Sequence, residues 1–271
     1  MTTLISWVGV DSRGTTSIYI ASDSRISWGD ADKWDYGRKI FCSKNSPDIF
    51  GYCGDVLFPT QVLGQLIEQI DQSIIFSSGE SFLERYGIVQ EALQTALTST
   101  PVNQRRSFQV VYVSRENEGM KSIFHACNIS WSRQNGWVAT ELNIPNSSNL
   151  IVVAGTGSTS MQDWYERWQR SDIVGTSRSI FTAFCDSLHS GDDPLSGGAP
   201  QLVGIYRAGA SRSFGIIKKG KRYLNGQELN LTGMFESIEW RNELFERCDG
   251  VSMSRLPEAQ RQPKPIIGPA L

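Results

Sequence analysis

Histidine is scarce in this 271-residue chain, which has only His125 and His189, far apart in sequence. That argues against a histidine-based zinc site and against a Ser-His-Asp triad. The cysteines Cys42, Cys53, Cys127, Cys185 and Cys248 are odd in number and show no Cys-x-x-Cys spacing. A disulfide framework is therefore not expected, and a reduced cytoplasmic protein is the simplest reading. Long apolar runs are missing too. Stretches such as Leu150 to Ala154 are far too short to span a bilayer, and the N-terminus has no basic segment leading into an apolar one. Charge of one sign is not in excess, since 26 Lys and Arg face 28 Asp and Glu for a net −2 and a pI near 5.8. Neither nucleic acid nor an anionic membrane has an electrostatic footprint here. The glycines around 155–157 lack Walker or dinucleotide-binding spacing, which gives no case for phosphate binding there; no cofactor and no metal are expected.

What the chain does have is a 39 % hydrophobic, 20 % charged composition, which suits one large globular domain or one domain with an appendage. The residues 3–10 and 15–21 read as strands around the turn chemistry of Asp11 to Gly14. Two further strands, Arg38–Ser43 and Ile49–Cys53, flank a polar turn. The period then changes. Val56, Val62, Leu63, Leu66, Ile67 and Ile70 recur at helical spacing, predicting a helix over Asp55–Ile74, and a second is expected over Ser81–Leu97. Strand patterns return at Phe108–Val113, Ser122–Cys127, Trp137–Leu142 and Leu150–Ala154. Helices are expected over Thr159–Arg170 and Thr176–His189, then strands at Gln201–Arg207, Ser213–Lys218 and Lys221–Leu224. Blocks of strands and helix pairs in this order predict an α+β layered domain over residues 1–228, with two antiparallel sheets between helix pairs. Residues 229–271 read as a C-terminal extension, with a helix over Met234–Arg247 and then a tail holding four prolines.

Thr2 stands directly behind Met1. A small residue there permits removal of the initiator methionine, which would expose a threonine with hydroxyl and free amine on one residue. Such an amine titrates near ~7.7–8.0 and can serve as the base for its own hydroxyl. Thr after Met is also common in proteins with no such chemistry, so the other motifs decide. Ala21-Ser22-Asp23-Ser24-Arg25 closes the second strand, where an aspartate is ordinarily a turn residue. Lys39 follows sixteen residues after Asp23, and by itself reads as a solvated strand-edge lysine. Gly51-Tyr52-Cys53-Gly54 joins a strand to a helix, a place where a backbone N–H can serve an oxyanion or a glycine can simply turn the chain. Ala154-Gly155-Thr156-Gly157-Ser158 is another strand-to-helix junction, and Asp193-Pro194-Leu195-Ser196-Gly197-Gly198 leads into a strand.

In this order the motifs resemble the proteasome-type N-terminal nucleophile hydrolases, including proteasome β-subunits and bacterial proteasome-like peptidases. The resemblance covers roughly Thr2 to Lys218. It implies a four-layer αββα sandwich. It also implies a threonine peptidase with Thr2 as nucleophile and its α-amine as base, and with Lys39 charged beside the hydroxyl and held by Asp23. Gly54 N–H would face the oxyanion, while Asp193, Ser196 and Thr156 orient the amine. The family usually has serine at the position of Thr156, and its first hairpin is shorter than the one before Asp23. Tyr52 would lie at the substrate pocket and narrow it. Further implications are a peptide or unfolded protein as substrate and a homo-oligomer built as a ring or helical ring, with any regulatory ATPase unknown. An amidase acting on another amide and a non-catalytic scaffold subunit remain as alternatives. The scaffold reading is disfavoured because no chemical group of the site is missing.

Overall fold

The computed structural model describes residues 2–29, 32–77, 79–230 and 237–259. The strands β1 (Leu4–Asp11) and β2 (Gly14–Ser22) form a long hairpin, and β3 (Ile26–Trp28) and β4 (Asp32–Trp34) form a small separate one. Next come β5 (Ile40–Cys42), β6 (Asp48–Gly54), α1 (Leu57–Asp71) and α2 (Phe82–Ser99). The chain continues through β7 (Phe108–Glu116), β8 (Ile123–Ser132), β9 (Gly136–Glu141) and β10 (Asn149–Ala154) to α3 (Ser158–Trp168) and α4 (Ser177–Ser190). It then forms β11 (Gln201–Tyr206), β12 (Arg212–Lys218), β13 (Lys221–Leu224), β14 (Gln227–Glu228), β15 (Trp240–Asn242) and β16 (Arg247–Cys248).

Strand alternation explains the layers. In β1, Ile5 and Trp7 point to a cluster with Phe181 and Phe184 of α4, while Leu4 and Val8 point to Ile49 and Val111 of the other sheet. In β6, Phe50 and Tyr52 meet Leu63 and Leu66 of α1, while Ile49 and Cys53 face back between the sheets. Both faces of each sheet are covered, so these strands read as near-continuous apolar runs rather than alternating ones. The result is α1 and α2, then the sheet β5-β6-β7-β8-β9, then the sheet β10-β1-β2-β11-β12-β13-β14, then α3 and α4. The expected αββα sandwich is the observed one, and both sheets are antiparallel apart from β15, which joins β12 in parallel.

Local signals set several boundaries. Ser81 and Glu84 form a reciprocal capping box at the start of α2, worth about 1 kcal/mol. That helix stops at Thr100 before Pro101, where α backbone geometry is disfavoured. Gly191 at φ 72° ends α4 in the left-handed conformation. None of the described helices is long and apolar enough to cross a membrane.

One local reading is corrected, and one element is added. The described part of the helix expected over Met234–Arg247 is instead the strand β15 and its turn into β16, while residues 231–236 lie outside the described residues. The cause is packing: Trp240 is buried opposite Gly215 of β12, where any side chain at 215 would collide with the indole. The hairpin β3–β4 was not anticipated, and its strands are only three residues each. Most of the Pro-rich tail, from residue 260 onward, lies outside the described residues.

Candidate active site

Both sheets deliver residues to one end of the sandwich. Asp23 follows β2 of the larger sheet, and Lys39 leads into β5 of the smaller one. Both side chains are fully buried, with Lys39 Nζ 2.8 Å from Asp23 Oδ1. A charged pair at this depth survives only with its remaining hydrogen-bonding capacity filled. Asp23 meets that condition. Oδ1 also accepts from the Thr3 N–H at 3.1 Å, and Oδ2 accepts from the N–H groups of Arg25 at 3.1 Å and Gly197 at 3.0 Å. Burial pulls the Lys39 pKa below its ordinary 10.5, with the negative charge of Asp23 acting against that fall.

A second group of polar side chains surrounds the start of the chain. The Thr2 N–H donates to Thr156 Oγ1 at 3.3 Å, and Thr156 Oγ1 donates to Asp193 Oδ2 at 2.7 Å. Ser196 Oγ donates to the same Asp193 oxygen at 2.7 Å and accepts from Thr3 Oγ1 at 2.8 Å. Thr2 is buried, Asp193 half-buried and Thr156 exposed, so the cluster runs from the interior to the surface. Asp193 and Ser196 also border a cleft of about 650 Å³, which opens the 193–198 loop to solvent.

The Gly155-Thr156-Gly157 turn wraps tightly around the first residues. A side chain at Gly155, which has φ +92°, would overlap the Thr2 carbonyl oxygen, and one at Gly157 would overlap Thr3 Oγ1. The Gly157 N–H donates to the Thr2 carbonyl at 3.3 Å. These glycines are required by close approach rather than by the turn alone.

Of the residues singled out from sequence, Thr2, Asp23, Lys39, Thr156, Asp193 and Ser196 fall into these two hydrogen-bonded groups, which Thr3 joins. Gly54 ends β6 at an exposed position, directly after Cys53, whose buried thiol senses the Lys39 charge. Its φ is +96°, and an added Cβ would come within 2.6 Å of the Ser107 carbonyl oxygen. Gly54→Ala is therefore expected to strain the β6–α1 corner, costing about 1–3 kcal/mol, seen as a lowered melting temperature. Tyr52 does not join the cluster. Its ring lies on the α1 side of β6, fully buried, with its hydroxyl donating to the Arg38 carbonyl at 3.1 Å and hydrogen-bonded to Thr60 Oγ1 at 2.6 Å.

Four contributors were not foreseen. Thr3 carries bonds to both groups. Gly197 donates to Asp23. Arg25 makes a two-point ion pair with Asp35, 2.7 and 2.9 Å, and donates to the carbonyls of Pro194 and Ser196. Arg25 lies within the Ala21–Arg25 motif, which by itself suggests no role for it, and Thr3 is readable only as the neighbour of Thr2. The fourth, Gln201, is the first residue of β11 and carried no signal at all. Cys53 is not a competing nucleophile, because burial pushes its thiol up to about 11. Among the described residues there is no group of three or more His, Cys, Asp and Glu placed to hold a metal ion.

No family model matches the chain, and no curated protein matches its sequence. Solved structures do resemble it. Anbu, described as an ancestral beta-subunit, from Yersinia bercovieri is 9 % identical over 78 % of this chain and 86 % of that one, at a TM-score of 0.52. An Anbu Gly-1 mutant from Hyphomicrobium sp. strain MC1 is 14 % identical over 79 % and 86 %, at 0.51. Eukaryotic HslV from Trypanosoma brucei is 12 % identical over 75 % and 99 %, at 0.47. At such identities the likeness speaks to fold alone, and the two Anbu structures carry it. The chain has the α+β sandwich fold of the proteasome-like N-terminal nucleophile hydrolases.

Proposed function

We propose that this protein is a threonine peptidase that hydrolyses peptide bonds through Thr2 after loss of Met1, a residue outside those described. The observation that carries the reading is the convergence of two polar groups on residues 2 and 3, one a buried Lys39–Asp23 pair and the other the Thr156–Asp193–Ser196 chain. With the preceding peptide bond gone, the nitrogen that donates to Thr156 is an α-amine. Thr156, held by Asp193, orients that amine and leaves its lone pair for the Thr2 hydroxyl proton. The Lys39 ammonium favours the developing alkoxide. Oγ1 of Thr2 attacks the carbonyl carbon, and the oxyanion takes a hydrogen bond from the Gly54 N–H. The amine passes its proton to the leaving nitrogen, the C–N bond breaks, and an ester remains on Thr2. Water gives its proton to the amine as it attacks the ester, the amine returns that proton to Thr2 Oγ1 as the ester C–O bond breaks, and the acid product leaves. The β-branch of threonine limits χ1, which keeps Oγ1 near the amine.

A peptide or unfolded protein as substrate, assembly of several copies and a cytoplasmic location belong to the same proposal. The test is reaction with a covalent epoxyketone or β-lactone probe, followed by mapping of the adduct. Labelling that persists in Thr2→Ala would reject the assignment.

The pH dependence follows from two groups. The amine must be neutral to act as base, so the rate rises as pH passes the amine's pKa, ~7.7–8.0 when unperturbed. Burial disfavours the charged form of Lys39, so its proton is lost as pH rises through a value below 10.5. A bell-shaped profile whose alkaline limb lies below pH 10.5 is expected for probe labelling. A rate that stays level beyond that pH would remove Lys39 from the mechanism.

A further inference from the structure

We infer that Gln201 is a positioning residue, the clamp that sets the geometry of the Asp23–Lys39 pair. The two partners come from different sheets, so their approach is only as well defined as the alignment of those sheets at this end. Gln201 opens β11 of the larger sheet and is fully buried. Its Oε1 accepts from the Lys39 N–H at 3.1 Å, and its Nε2 donates to the carbonyls of Asp23 at 2.9 Å and Gly37 at 2.8 Å. Both donors of the amide are used, and one side chain joins the backbone of the aspartate to that of the lysine. The Gly37 N–H also ties the segment 37–39 to the segment 23–25, donating to the Ser24 carbonyl at 2.8 Å. A buried amide that satisfies three backbone groups across two sheets fixes position rather than taking part in bond making.

The inference rests on the proposed mechanism only for its effect on rate. Gln201→Leu preserves approximate volume and removes all three bonds. Gln201→Glu keeps the acceptor toward Lys39, but once ionised it turns a carboxylate oxygen toward the two carbonyls. Burial and those carbonyl oxygens both disfavour ionisation, so the variant approaches wild type at low pH and departs from it as pH rises. Two measurements decide. The first is amide hydrogen exchange. With the clamp gone, the Lys39 amide should exchange at least about tenfold faster while the amides of β7 and β8 keep their protection. Uniform acceleration throughout, or unchanged protection at Lys39, would overturn the clamp. The second is labelling of Thr2 by the covalent probe. Gln201→Leu should lower the maximal labelling rate by about 10- to 100-fold, the scale of a small misplacement of catalytic groups. Probe affinity and the fraction of protein finally labelled should not change. For Gln201→Glu, the ratio of variant to wild-type rate should fall as pH rises. An unchanged rate with fewer labelled molecules, or a pH-independent ratio, would reduce Gln201 to a stabilising residue and refute positioning. If wild type is not labelled at Thr2, the peptidase proposal fails instead, and the exchange measurement still decides the clamp.

Discussion

Thr2→Ala should abolish peptide-bond hydrolysis while leaving the protein folded. The substitution removes one hydroxyl and one methyl from a buried residue whose backbone N–H and carbonyl keep their bonds to Thr156 and Gly157. A change of that size costs about 1–2 kcal/mol, a modest loss for a domain of this size. The chemical loss is far larger, because in the proposed mechanism no other hydroxyl lies on the residue whose nitrogen serves as the base and donates to Thr156. A fall on the order of 10⁴–10⁶ in turnover matches the removal of a nucleophile from a preorganised site. Thr2→Ser separates the two roles of the side chain. It retains the oxygen and loses the β-branch, so activity persists at a reduced level while Oγ samples rotamers pointing away from the amine. Hydrolysis of a fluorogenic peptide, read beside a thermal melt of each variant, checks both statements. Thr2→Ala retaining a tenth or more of wild-type turnover would eliminate Thr2 as nucleophile.

Asp23→Asn carries the largest expected effect on stability. Asp23 accepts four hydrogen bonds, two on each oxygen, and one comes from the fully buried Lys39 ammonium. Asparagine offers one acceptor oxygen and aims an NH₂ group at the other two donors. Breaking a buried pair by removing one partner costs about 3–5 kcal/mol, because an uncompensated charge stays behind. In a chain of this length that corresponds to roughly 10 °C or more in melting temperature. The pH dependence gives a second check. Asp23 is what raises the Lys39 pKa against burial, so in the variant the lysine is driven further toward its neutral form. The folded variant then binds fewer protons than the unfolded chain below the ordinary lysine pKa, and its stability rises with pH in that range. Melting temperatures of Asp23→Asn should climb between neutral pH and about pH 10 relative to wild type. Adding Lys39→Met to Asp23→Asn should restore much of the loss, since the buried ammonium is gone and no stranded charge remains to be desolvated. A double variant as unstable as Asp23→Asn alone would mean the damage lies in the backbone N–H bonds lost at the oxygen that becomes NH₂, and not in a stranded charge.

The layers were legible because both sheets are buried on both faces. Residues 3–10, 49–53 and 108–113 read as apolar runs, while the three- and four-residue spacing of Val62, Leu63, Leu66 and Ile67 marks α1. Six positions that the structure brings into the two hydrogen-bonded groups, Thr2, Asp23, Lys39, Thr156, Asp193 and Ser196, were legible as candidates because each sits at a strand end or in a loop beside one. What failed depends on distant partners. Trp240 belongs to a strand because Gly215 leaves room for its ring, a fact no local pattern near 240 contains. Gln201 looks like an ordinary polar residue at a strand start until β11 is set beside Asp23 and Lys39. The place of Tyr52 before Gly54 suggests a substrate pocket. The alternation of β6 turns its ring to α1 instead.

The central claim is that residue 2 acquires both nucleophile and base when Met1 is lost. Intact mass and peptide mapping of the probe-labelled protein test it in one experiment. The expected result is a labelled N-terminal peptide that begins at Thr2, with the adduct on Thr2 and no labelled species retaining Met1. Labelled protein that keeps Met1, or an adduct on any other residue, would contradict it.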